Sequence, residues 1–108
     1  MSESKKLRTR CYYTDYVNHA IRFYLSCPES LITAGKRKAD IDNWIAVQSV
    51  FHALSDSDRD TILGVYATHH RINEAVRQYS ANNNLPERSL WILLTKFWSI
   101  IAKRRGLI

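Results

Sequence analysis

Glycine and proline are scarce in this 108-residue chain, at three and two residues. Long stretches therefore run without a backbone breaker, and strict alternation of apolar and polar residues is absent. Together these point to an all-α fold, a small bundle of about five helices. The chain has no run of 18 apolar residues, and its first ten, MSESKKLRTR, lack the apolar core of a signal peptide. The expectation is a cytoplasmic protein with no membrane partner. Two cysteines, Cys11 and Cys27, are too few for a disulfide scaffold and lack CxxC spacing, so they read as small buried or boundary residues. Also missing are a nucleophile–base pair, paired carboxylates on one face, a glycine-rich phosphate loop and metal-ligand spacing. The sequence therefore predicts no enzyme and no cofactor.

Two superficial metal signals fail on inspection. Asp56, Asp58 and Asp60 evoke a calcium loop, but Thr61 and Ala67 stand where its glycine and bidentate glutamate belong. His69 and His70 are adjacent, and on a helix they would diverge by about 100°, too far to share an ion. His19 and His52 are isolated.

The apolar fraction of 45% is ordinary, and the length suits one small domain (residues 11–108) behind a flexible basic arm (1–10). Within it, 11–70 would form the N-terminal helices and 71–108 a helix-turn-helix. The net charge of +6 is uneven: +3 in residues 1–10, −2 in 11–70 and +5 in 71–108. A basic tail with a basic C-terminal third is the electrostatic footprint of a nucleic-acid binder.

Periodicity predicts helices near 13–26, 40–54, 57–67, 71–82 and 86–105. The first carries Tyr13, Tyr16, Val17, Ala20, Ile21 and Tyr24 on one stripe, with Thr14 or Asp15 as its cap. Residues 27–39 read as a loop, with a turn of helix near Leu31–Ile32. Asp40 is expected to cap the second helix, with Ile41, Trp44, Ile45, Phe51 and Leu54 inward, Val47 and Val50 flanking and Gln48 interrupting. Ser55 or Ser57 starts the third, which buries Ile62, Leu63, Val65 and Tyr66. The fourth places Ile72, Ala75, Val76 and Tyr79 together, and one of three asparagines closes it in a left-handed turn.

The last helix organises the chain. Pro86 and Glu87 suit its first turn, Lys103, Arg104 and Arg105 its negative end, and Gly106 its exit. Leu90, Leu93, Leu94, Phe97, Trp98, Ile100 and Ile101 span roughly 160° of its circumference. Arg88, Ile92, Thr95, Lys96, Ser99 and Lys103 lie opposite, with Trp91 at the seam.

A short amphipathic helix, a polar turn and a longer helix with a polar, basic outer face make a helix-turn-helix. Its partner would be double-stranded DNA, with Arg88, Ile92, Thr95 and Lys96 toward base edges or phosphates. Arg71 and Arg77 would contact phosphates, and Trp91 would either lie against sugar–phosphate or complete the core. The rival is a non-enzymatic protein–protein module, such as a phage structural or packaging adaptor.

The segment Leu54–Tyr66 (LSDSDRDTILGVY), followed by Val76–Ile108, resembles region four of sigma-70-type factors. Val76, Tyr79 and Ser80 match the bracing helix, and Leu85–Leu90 the start of the recognition helix. Taken together, YVNHAIRFY, DNW, DRDTILGVY and IAKRRGLI are similar to sigma-region-four-like proteins of phages and integrated elements, grouped with RinA/ArpU-type regulators. The chain departs from that pattern at Asn83, where an apolar residue is expected, and at Asn84, which replaces the turn glycine. The resemblance implies a transcriptional regulator at promoter-like DNA, with RNA polymerase as a further partner.

Overall fold

Helical periodicity becomes helix in all five stretches, in a computed structural model that describes residues 13–28 and 37–108. In chain order the helices are α1 (Thr14–Ser26), α2 (Lys38–Ala53), α3 (Asp56–Thr68), α4 (Ile72–Asn83) and α5 (Glu87–Arg104). Among the described residues there is no strand, and no helix is long and apolar enough to cross a membrane. The basic arm, Cys11 and the Leu31–Ile32 turn lie outside the described residues.

Local chemistry sets three of the helix ends. Ser55 is the N-cap of α3, its side chain accepting from the Asp58 N–H at 3.2 Å. Asp56 and Asp58 then stand in the first turn, where the helix dipole favours negative charge. Arg59 bridges Asp56 at 3.2 Å and donates to the Leu54 carbonyl at 3.3 Å, tying the cap together. At the end of α4, Asn84 adopts φ 55° and ψ 45°. The Asn84 and Leu85 N–H groups both reach the Ser80 carbonyl, and the Ser80 hydroxyl donates to the Leu85 carbonyl. Asparagine tolerates this left-handed geometry, which explains how the turn forms without glycine. Past α5, Gly106 sits at φ 74°, with Gly106 N–H on Lys103 O (3.1 Å) and Leu107 N–H on Ala102 O (2.8 Å). That is a Schellman cap.

Two expected caps are corrected. Neither Thr14 nor Asp15 caps α1; the N-cap is Tyr13, without a side-chain bond, and both residues lie inside the first turn. Asp40 likewise falls within the first turn of α2, which begins two residues earlier at Lys38. Ion pairs at helical spacing, Arg37–Asp40 (3.7 Å) and Lys38–Asp42 (2.7 Å), accompany that earlier start.

The described residues divide into two compact units. One is Leu54–Lys96; the other combines residues 13–28 and 37–53 with Phe97–Ile108. In the first, α3 packs on α4, and the buried residues are Ile62, Val65, Tyr66, Ala75, Val76, Leu90, Trp91 and Leu94. Gly64 permits the close approach. A Cβ there would stand 2.5 Å from Cε1 of Tyr79.

In the second unit α1 packs on α2, and the aromatic rings form a chain. Tyr24 lies 5.1 Å from Trp44 and 5.6 Å from Phe51, and Phe51 lies 4.9 Å from Phe97, all centroid to centroid. Trp44 Nε1 donates to the buried Cys27 carbonyl at 2.9 Å, so its polar edge is satisfied. Phe97, Trp98, Ile101 and Ala102 are buried here with Val17, Ala20, Ile21, Val47 and Val50.

The inward face of α2 differs from the expected one. Ile45 is 53% exposed and Ile41 only half-buried, whereas Asn43, Ala46, Val47 and Val50 are buried. A polar residue is affordable there because it is bonded. Asn43 Nδ2 donates to Tyr16 Oη at 3.0 Å, and Asn43 Oδ1 accepts from Arg105 Nε. Tyr16, expected inward, is 44% exposed, with its hydroxyl on Asn43.

The Gly64 contact yields a test. Gly64→Ala should destabilise by about 1 kcal/mol, because crowding of the Tyr79 ring outweighs the helix-propensity gain. Adding Tyr79→Ala should cancel that penalty. Denaturant unfolding of both single variants and the double variant measures the coupling, and strict additivity would contradict the close approach.

Candidate nucleic-acid interface

The unit Leu54–Lys96 contains every residue that the sequence assigns to DNA contact. Arg88, Ile92 and Lys96 recur every four residues on α5, which places them within an arc of about 80°. All three are exposed, and Ile92 is 51% accessible. They remain outward because Leu90, Trp91 and Leu94 fix the opposite face inward. Ser89, which sequence reasoning passed over, is exposed beside them. Its only signal is its place in the first turn of the helix.

Arg71 is the exposed N-cap of α4, its N–H donating to His69 Nδ1 at 2.9 Å. Arg77 is exposed on α4 and bridges Glu74 at 2.7 Å. Both are within reach of solvent anions, although Arg77 shares its charge with a carboxylate.

Of the seven assigned residues, Trp91 is decided between its two readings and Thr95 is placed differently. Trp91 is 4% exposed, so of its two readings the structure takes the core one. Thr95, expected on the outer face, is half-buried. Its hydroxyl oxygen is enclosed without a hydrogen-bond partner among the described residues. The cause is a rotation of the buried arc. Leu93 and Ile100 are only half-buried whereas Trp91 and Ala102 are buried, a shift of roughly 50° toward Trp91. An indole offers more apolar area than a leucine or isoleucine side chain, and Thr95, one turn on from Trp91, is carried inward with it.

The histidine pair also departs from expectation. Helix α3 ends at Thr68, whose hydroxyl donates to the Gly64 carbonyl at 2.7 Å. His69 and His70 therefore occupy the interhelical turn, and instead of diverging their rings stack with centroids 4.6 Å apart. Among the described residues no three His, Cys, Asp or Glu side chains gather as a metal site requires.

Charge in this unit is unevenly placed rather than in excess, with Glu74 and Glu87 sharing α4 and α5 with the cations. Residues 54–96 hold five basic and five acidic side chains. Three of the acids are Asp56, Asp58 and Asp60, at the start of α3, with Arg59 among them. Arg71, Arg77, Arg88 and Lys96 lie on the last two helices and the turn before them.

The enclosed Thr95 hydroxyl predicts an unusual substitution. Thr95→Val keeps the shape and removes an unsatisfied polar atom, so it should leave stability unchanged or raise it by about 1 kcal/mol. Thermal melts read this directly. A loss exceeding 1 kcal/mol would mean that the hydroxyl bonds after all.

Comparison with known protein families, curated proteins and solved structures finds no match to this chain.

Proposed function

We propose that this protein is a DNA-binding transcriptional regulator that lays the first half of α5 in the major groove. The observation that carries the reading is the exposed Arg88–Ile92–Lys96 stripe, on a helix held by the buried Leu90–Trp91–Leu94 face. Such a stripe combines a bidentate guanine reader, an apolar contact for a thymine methyl and a phosphate-binding ammonium. A left-handed turn at Asn84 separates α4 from α5, which supports a helix-turn-helix reading. Arg71 and Arg77 supply further phosphate contacts. Trp91 takes the role of anchor, and Thr95 none.

The resemblance to region four of sigma-70-type factors belongs to the same proposal. It suggests a phage or mobile-element regulator of the RinA/ArpU type, acting in the cytoplasm with RNA polymerase as second partner. The competing reading, a protein–protein adaptor, draws support from Ile92, since an exposed isoleucine can also anchor a protein contact.

A salt series separates the two on three forms of the protein: intact, lacking residues 1–10, and Arg88→Ala/Lys96→Ala. On a selected duplex, Arg88→Ala alone should cost about 1–3 kcal/mol and relax preference at one base position. Lys96→Ala should weaken all sequences alike and reduce the salt slope by about one. If deleting residues 1–10 abolishes DNA retention while the double variant binds fully, the groove-reading helix is wrong. If neither residue matters and retention is weak throughout, the adaptor reading stands.

A further inference from the structure

The second unit contains a polar cleft of its own. Asp42, Ile45, Ala46 and Ser49 form one stripe of α2, and with Arg104 and Arg105 they line a cavity of about 270 Å³. The two arginines are not consumed in capping α5. The last carbonyls, Ile101 O, Ala102 O and Lys103 O, accept main-chain N–H groups from Arg105, Leu107 and Gly106 at 2.8–3.1 Å. Arg105 is half-buried and held in place, since its Nε donates to the buried Asn43, which in turn donates to Tyr16. Both Nη groups of Arg105 are thereby left without an acceptor among the described residues. Arg104 is exposed beside it, and Ser49 adds a hydroxyl on the α2 wall.

Two features oppose an anion there, and one is the negative C-terminal end of α5, whose last carbonyls are already bonded. The other, the Asp42 carboxylate, stands on the cleft wall, but Lys38 Nζ pairs with it at 2.7 Å. That bond, and to a lesser degree the charges of Lys38 and Arg105, hold the Asp42 carboxyl below its ordinary range despite some desolvation. Asp42 is therefore ionised near neutral pH and locally compensated by Lys38. Two guanidinium groups remain facing the cleft.

We infer that this cleft binds a phosphate group, with the Arg105 fork and Arg104 on its oxygens and Ser49 as a third donor. A fixed guanidinium presents parallel N–H bonds that match phosphate oxygens. Ile45, more than half exposed, offers an apolar wall to whatever carries the phosphate. The inference is independent of groove reading by α5. The phosphate belongs either to a free phosphorylated molecule or to a nucleic-acid backbone, and the experiment distinguishes these.

The test is a ¹H–¹⁵N titration of the intact protein with inorganic phosphate, against sodium chloride at matched ionic strength. Saturable shifts are expected at Ala46, Ser49 and the Arg105 Nε–H, and only with phosphate. Arg104→Gln and Ser49→Ala, neither of which touches the Asn43 network, should each weaken the response at least threefold. Asp42→Asn should tighten it, because a repelling charge is removed. A duplex that displaces phosphate from these resonances, with Arg104→Gln lowering its salt slope, identifies a backbone source. Persistence of the phosphate shifts in saturating duplex identifies a free ligand. In either case Arg88→Ala/Lys96→Ala should leave the cleft response intact. Shifts equally produced by chloride, or unmoved by Arg104→Gln and Asp42→Asn, would overturn the inference.

Discussion

The rotational setting of α5 is the constraint on which the candidate interface depends. Leu90, Trp91, Leu94, Phe97, Trp98, Ile101 and Ala102 are all buried. Their positions span about 140° of the helix circumference. Burying two tryptophans and a phenylalanine on one helix removes several hundred square ångströms from water, on the order of 25 cal/mol for each apolar square ångström. No surface ion pair, worth about 0–1 kcal/mol, competes with that. The apolar face thus sets the phase, and the phase decides which polar residues meet solvent. Arg88, Ile92 and Lys96 are exposed as a consequence, and Thr95 is drawn inward for the same reason.

Three helix ends are legible in the sequence because their causes are local, whereas the starts of α1 and α2 are not. A serine three residues before a donor, an asparagine in a tight turn and a glycine after a basic run each act over a few positions. Ser55, Asn84 and Gly106 do so. The inward face of α2 was not legible in that way. Asn43 is buried because Tyr16, 27 residues earlier, and Arg105, 62 residues later, satisfy it. No window of periodicity contains such partners, so apolar pattern alone turns Ile45 inward and gives no signal that Asn43 is buried. The candidate interface divides on the same principle. Helical phase alone turns Arg88, Ile92 and Lys96 outward, and they are exposed, whereas Ser99 is half-buried; Trp91 and Thr95, at the edge of the arc, depend on a competition among side-chain sizes.

Charge placement in the Leu54–Lys96 unit also follows from local physics. Asp56 and Asp58 stabilise the positive end of α3, and Arg59 compensates Asp56. These acids therefore serve the start of a helix, while the exposed cations sit on other elements. A neutral total conceals that uneven placement, which matters more for recognition than the sum does.

Ile92 is the residue on which the two functional readings turn. It is a single exposed isoleucine with Arg88 one turn before it and Lys96 one turn after, both exposed. An isolated apolar residue on a surface is ordinary and forms no patch by itself. For Ile92 to anchor a protein contact, the partner would have to cover both flanking cations, and desolvating them without carboxylates opposite is costly. A nucleic-acid duplex reverses that balance. Its phosphates accept the cations at the rims of the groove, and a thymine methyl offers an apolar surface between them. The same three residues that impede a dry protein interface suit a groove lined by phosphate, which is the physical ground for preferring DNA as the partner.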